Sequence, residues 1–254
     1  MSHDLRPRSA TEVIDAGFQL TRGHYAELIA APLALYVPIL VLRMGLPDVL
    51  QFIPSVAWWL LGTIGWGAGV VIASDAYLLG RPDVAKAVRQ AASRFWALLF
   101  GGLLQGTAVV VGFLLLIVPG FLFLGWAFAM QAVILLEGVP VLGAFDRSRY
   151  LARGHVLRIL GTLLLTFLIF AGVLLVIVVA AGFLIAALFP GREGPLSVIV
   201  ELVTVGLSPL FTVVTTLLYY DLRIRKEGFD LEVRAGRLGA VPTAGAPLAP
   251  DPAR

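Results

Sequence analysis

The chain has 254 residues, 59% of them hydrophobic and 14% charged, with a formal net charge of +3 and a mean hydropathy of +0.93. Soluble domains do not reach such values, so an integral membrane protein is implied. There is no cysteine, which excludes disulfides, thiolate nucleophiles and cysteine-ligated zinc.

A helix crossing a ~30 Å hydrocarbon core needs roughly 20 mostly apolar residues at ~1.5 Å rise each. The first element is an amphipathic helix over about 11–24, TEVIDAGFQLTRGH, with Glu12, Asp15, Gln19 and Arg22 along one stripe. The first span follows from Leu28 to Leu42; it is short, carries Pro32 and Pro38, and has Glu27 and Arg43 placed to snorkel to opposite interfaces. It lacks the compact basic start and small-residue cleavage pattern of a signal peptide, so a retained span is expected.

The second span runs from Val56 to Leu79. A second amphipathic helix is expected over about 81–95, with Val84, Val88, Ala91 and Phe95 on one face and Lys86, Arg89 and Ser93 on another. Spans three (Trp96–Val118) and four (Phe121–Glu137) are separated only by Pro119 and Gly120. A hairpin turn is expected there, with Pro119 ending the third helix and Gly120 supplying unusual dihedrals.

A third amphipathic segment covers about 139–156, and the fifth span begins after Arg158. Its charge-free stretch from Ile159 to Phe189 would be about 46 Å long as a helix, so it must tilt, project or break, with Gly182 the expected break point. The sixth span covers Leu196–Tyr220, and the membrane domain as a whole is placed at 1–238. The ending VPTAGAPLAPDPAR reads as a disordered Pro/Ala-rich tail over 239–254.

All 19 Lys and Arg residues except Arg43 and Arg192 fall at one side of this topology. Basic connectors stay cytoplasmic, so both termini are expected in the cytoplasm. The fold class expected is therefore all-α and polytopic: six transmembrane helices as three hairpins, each preceded by a cytoplasmic interfacial amphipathic helix. The AGF and GHY of the first unit echo the GAF and GHV of the third, which suggests three related units. Gly62, Gly65, Gly69 and Ala73 make a small-residue face on the second span, and Gly102 and Gly106 a GxxxG on the third, both suited to close helix packing.

Two stretches are the most distinctive: LLLIVPGFLFLGWAFAMQAVILLEGVPVLGAFDRSRYLARG at 114–154 and TTLLYYDLRIRKEGFDLE at 215–232. Together they resemble the membrane domain found with some bacterial glycerophosphoryl diester phosphodiesterases and in stand-alone six-span proteins. The matching residues are Pro119-Gly120, Glu137-Gly138, Ala144 to Ser148 with Arg147, and Leu218 to Leu231, and the opening TEVIDAGFQL fits as well. In the phosphodiesterase members the resemblance implies a soluble catalytic domain after the spans. Here about thirty residues follow Asp221, so neither that domain nor its activity is expected.

No GxSxG, Walker loop, HExxH or dinucleotide fingerprint is present, so no catalytic residue, metal or cofactor is nominated. His24 and His155 read as interfacial anchors, and His3 is distant from both. An ionised carboxylate at membrane depth costs ~2.5 kcal/mol or more at the bilayer centre, which makes acids the best functional pointers. Glu27, Asp75 and Glu137 should share one depth near the cytoplasmic ends of spans one, two and four, either paired with nearby bases or lining a cytoplasm-facing cavity; Glu137 leads. Glu201 lies on the opposite side.

Arg81, Lys86, Arg89, Arg147, Arg149 and Arg153 form a basic collar suited to anionic lipid head groups. Nucleic acid is not an expected partner, because the charge rings span ends instead of a reader module. Asp221, Arg223, Arg225 and Glu227 read as local ion pairs where the last helix leaves the membrane, with Gly228 its stop. The expected function is a non-enzymatic inner-membrane module that organises lipids or a membrane or cytoplasmic protein partner. Its rivals are a transporter or channel for a small or amphiphilic solute and an intramembrane enzyme acting on lipids.

Overall fold

The computed structural model describes residues 6–188 and 194–231. The tail at 239–254, His3 and Arg192 lie outside the described residues. In chain order the helices are α1 (Ala10–Gly23), α2 (Tyr25–Gly45), α3 (Phe52–Leu79), α4 (Val84–Ser93), α5 (Phe95–Leu115), α6 (Ile117–Ala127), α7 (Met130–Ala132), α8 (Val141–Ala152), α9 (Val156–Leu188) and α10 (Gly194–Glu227). A short 3-10 turn, Asp48–Leu50, joins α2 to α3, and a π-helical turn, Val133–Glu137, continues α7. Among the described residues six stretches are long and apolar enough to cross a membrane, so the chain is an all-α multi-pass membrane protein.

The same sequence of parts occurs three times. A short amphipathic helix (α1, α4, α8) turns through one to three residues into a long helix (α2, α5, α9), which returns through a second (α3, α6 with α7 and the π turn, α10). The returning helix is the inner one in every unit. Its most apolar window is 44%, 50% and 33% buried in the three units, against 22%, 22% and 11% for the helix before it.

Each inner run stops on a glycine with left-handed backbone: Gly80 (φ 67°), Gly138 (φ 70°) and Gly228 (φ 64°). A proline two residues beyond the first two of these, Pro82 and Pro140, prevents continuation. The next amphipathic helix then restarts on Asp83, whose side chain accepts from the Lys86 amide, or on Pro140. α1 starts on a reciprocal cap, in which Ser9 and Glu12 bond each other's backbone amides.

Glycines let the inner helices approach their neighbours. A Cβ on Gly65 would lie 3.5 Å from Leu35 of α2, one on Gly69 would lie 3.0 Å from Thr212 of α10, and one on Gly67 would meet Leu98 at 2.9 Å and Leu135 at 3.3 Å. α3 therefore packs through small residues in three directions. On α5 a close contact is made by Gly101, where a Cβ would come within 2.7 Å of Ile134, whereas Gly106 faces open space. A Cβ on Gly102 would also lie close to a neighbour, 3.3 Å from Gln131, and one on Gly112 would meet the Gly120 backbone at 2.9 Å, so of the GxxxG pair read from the sequence only Gly106 is without a close contact.

Two sequence expectations, both at Pro119-Gly120, are corrected, and of the alternatives for the fifth span the break is excluded. Pro119 and Gly120 do not form the outer turn. The chain reverses at Leu116, in extended conformation (φ −163°, ψ 152°), and Pro119 is the third residue of α6, where its missing amide would have no helical partner. Gly120 has no positive φ; it serves the close approach of α5 and α6. α9 runs unbroken through Gly182.

Span four, in contrast, is broken at Phe128 and Ala129. Buried Ser148 of α8 fills the gap, accepting from the Ala129 amide at 3.2 Å and donating to the Trp126 carbonyl at 2.6 Å. Irregular backbone at membrane depth needs such protein partners.

Candidate functional site

All three amphipathic helices gather at one end of the bundle, where the described chain also begins and ends, and each is pinned to an inner helix. Lys86 of α4 reaches Asp75 of α3 at 3.0 Å, while Gln90 and Arg94 donate to the Leu135 and Gly138 carbonyls at 3.0 and 3.1 Å. Arg147 of α8 donates to Glu137 at 2.7 Å and grips Glu227 with both terminal nitrogens. Glu137 also accepts from Tyr219 at 2.8 Å, and Glu227 from Arg223 at 3.2 Å. These two carboxylates, the hydrogen bond to Glu227 foremost, hold the Arg147 guanidinium above its ordinary range, so it is charged at every accessible pH.

The third clasp centres on Asp221, which is 3% exposed. Its carboxylate accepts from the Arg8 amide at 2.7 Å, from Arg158 of α9 at 2.8 Å and from Arg225 at 2.9 Å, and both arginines also donate to the Arg8 carbonyl. One buried acid thereby joins the N-terminal arm, the start of α9 and the end of α10. The local ion pair read from the sequence, Asp221 with Arg225, is present, but the burial of Asp221 and its bonds to Arg8 and Arg158 are not foreseen by that reading. The signal available was the spacing Asp221 to Arg225, an i,i+4 pair, and it gave no hint of Arg8 or Arg158.

The three nominated acids share this end of the bundle but not a site. Glu137 is on Arg147 and Tyr219, Asp75 on Lys86, and Glu27 is 3.9 Å from His24. Of the two alternatives read from the sequence, pairing with nearby bases is the one seen for Glu137 and Asp75, and none of the three acids lines the 450 Å³ cavity described below. At the far end Glu201 pairs with Arg43 and accepts from the Tyr36 hydroxyl at 2.8 Å, tying α2 to α10.

The basic collar is divided. Lys86 and Arg147 are engaged in ion pairs, and Arg149 lies 4.6 Å over the Trp126 ring. Arg81, Arg89 and Arg153 are exposed.

His155, just before α9, is half-buried, and burial first, then the charges of Lys226, Arg225 and Arg158, lower its pKa. An imidazole kept neutral in the fold is protonated more readily in the unfolded chain, whose value is about 6.5. The parent is therefore expected to hold its stability above about pH 6.5 and to lose some as pH falls through that value, levelling below the depressed folded value. His155→Gln should show a flatter profile over pH 7 to 5 in thermal unfolding scans; parallel profiles would exclude the assignment.

A separate cavity of about 450 Å³ lies on the axis between the inner helices, in the half remote from the clasps. Trp58, Trp59 and Trp66 of α3 and Phe211 of α10 wall it, and Gln105 of α5 and Gln131 of α7 present amides to it. Its floor is Val70 and Thr216; one turn nearer the clasps, Ser74 and Tyr220 close the axis with a 2.6 Å hydrogen bond. The helix break at Phe128 is part of its wall, a feature the sequence did not disclose. No family model, curated protein or solved structure matches the chain.

Proposed function

We propose that this protein is a non-enzymatic inner-membrane module that organises lipids or a protein partner, anionic lipid around a basic cytoplasmic collar foremost. The observation that carries the reading is the division of the collar. Lys86 and Arg147 fasten α4 and α8 to the inner helices, while Arg89 on α4, Arg81 just before it and Arg153 just after α8 are exposed. Each Lys or Arg near an anionic surface contributes roughly 1 kcal/mol. Three exposed arginines then favour anionic over zwitterionic lipid by about 100-fold.

Native mass spectrometry of protein extracted with its lipid shell tests this. Phosphatidylglycerol or cardiolipin should co-purify with the parent and fall sharply in the triple variant Arg81→Ala, Arg89→Ala, Arg153→Ala. An unchanged lipid complement would overturn the lipid reading, and a stoichiometric protein partner in place of lipid would decide for the partner. Transport of a small solute is the second reading, favoured by the axial cavity, although Glu27, Asp75 and Glu137 do not line it.

The cytoplasmic placement of the clasps follows from the charge rule. Because the chain has no cysteine, single substitutions report sidedness directly. Val49→Cys, at an 80% exposed residue of the far turn, should react with a membrane-impermeant maleimide in intact cells, and Ser93→Cys only after lysis. The opposite pattern would invert the topology.

A further inference from the structure

We infer that the axial cavity is a binding site for one uncharged single-tailed amphiphile, whose hydrogen-bonding head sits between Gln105 and Gln131 and whose hydrocarbon lies along the tryptophans. Size, charge and an unmet polar group lead to this, independently of the collar. At about 450 Å³ the cavity falls within the ~300–1,000 Å³ usual for small-molecule sites, and it has their composition of aromatic walls with a few convergent polar groups. No residue lining it is charged, so an ionised head group would enter without a counter-charge.

Gln105 is the middle residue of α5, in a segment otherwise apolar for a turn on either side apart from Thr107. A primary amide at that depth is costly unless bonded, yet Gln105 makes no hydrogen bond among the described residues. Gln131, facing the same space, spends one amide hydrogen on a long 3.4 Å contact to the Leu98 carbonyl, leaving its own carbonyl as an acceptor. Thr215 and Thr216 donate to the backbone of α10, which leaves their oxygens as acceptors also. Donors and acceptors of this kind suit an alcohol, monoglyceride or amide head. The Ser74–Tyr220 closure beneath the floor makes the cavity a dead end towards the clasps, as a binding site requires.

The test uses the full chain in phosphatidylcholine nanodiscs and a brominated monoacylglycerol as quencher. Three of the five tryptophans line the cavity; Trp59 among them is also half exposed, as Trp96 outside it is two-thirds exposed, so both report partitioning as well. Quenching should show a saturable component from the cavity above a linear one from partitioning. Gly62 lines the cavity and a Cβ there meets nothing within 4 Å, so Gly62→Leu should fold normally and abolish the saturable component. Gln105→Leu should weaken it at least tenfold, and the matching brominated fatty acid, ionised at pH 9, should give only the linear component. Purely linear quenching by the monoacylglycerol in the parent, an undiminished saturable component in both variants, or equal saturation by the ionised acid would each overturn the proposal.

Discussion

Asp221→Ala is expected to lower the stability of the folded protein by about 3–5 kcal/mol, the range found when one member of a buried ion pair is removed and its partners stay behind. Asp221 is 3% exposed and is the shared acceptor for Arg158 and Arg225, so its loss leaves two guanidiniums facing each other without a counter-charge. It also frees the Arg8 amide, which bonds the carboxylate at 2.7 Å. For a chain of this size the loss corresponds to a fall of roughly 10 °C in thermal midpoint.

Asp221→Asn, which keeps one acceptor, should fall between parent and Asp221→Ala. Adding Arg158→Leu to Asp221→Ala should recover part of the loss, because the pair is then removed together instead of half-removed. Trypsin should cleave after Arg8 faster in Asp221→Ala, since the Arg6–Pro7 bond resists it in either protein. A midpoint within about 3 °C of the parent, roughly 1 kcal/mol, would show that the clasp carries no net stability.

What the sequence disclosed and what it hid divide by range. Span positions, the basic connectors and the short amphipathic helices are properties of windows of ten to twenty residues, set by solvent transfer and helical period, and these are seen at or near their expected places. Glu137 with Arg147 and Asp75 with Lys86 are separated by 10 and 11 residues, so pairing with a neighbouring interfacial helix was within reach. The contact of Asp221 with Arg8 spans 213 positions and has no local trace.

The break at Phe128 was equally hidden, because its cause is a hydroxyl on another helix and no proline or glycine marks the gap. Pro119-Gly120 misled for the opposite reason. The dipeptide is a strong local breaker, but proline is also welcome in the first turn of a helix, and the reversal itself uses extended backbone that any residue adopts.

Gly120 and the glycine it meets on α5, Gly112, define the second large effect. A Cβ on Gly112 would sit 2.9 Å from both the Cα and the nitrogen of Gly120, and 3.0 Å from Phe123. The obstacle is backbone, which no rotamer change can relieve, so α5 and α6 must separate at their turn. Gly112→Val is therefore expected to destabilise by about 2–3 kcal/mol, the upper part of the overpacking range. The gain in helix propensity over glycine, under ~1 kcal/mol, does not offset it.

Gly106→Val is the matched control: it lies on the same helix, less than two turns away, with nothing within 4 Å of its Cβ, and should leave stability unchanged or slightly higher. The measurement is the thermal midpoint of both variants in one detergent, with a drop of roughly 5–10 °C expected for Gly112→Val alone. Equal midpoints would mean that α5 and α6 do not meet through Gly112 and Gly120, and would return the turn to Pro119.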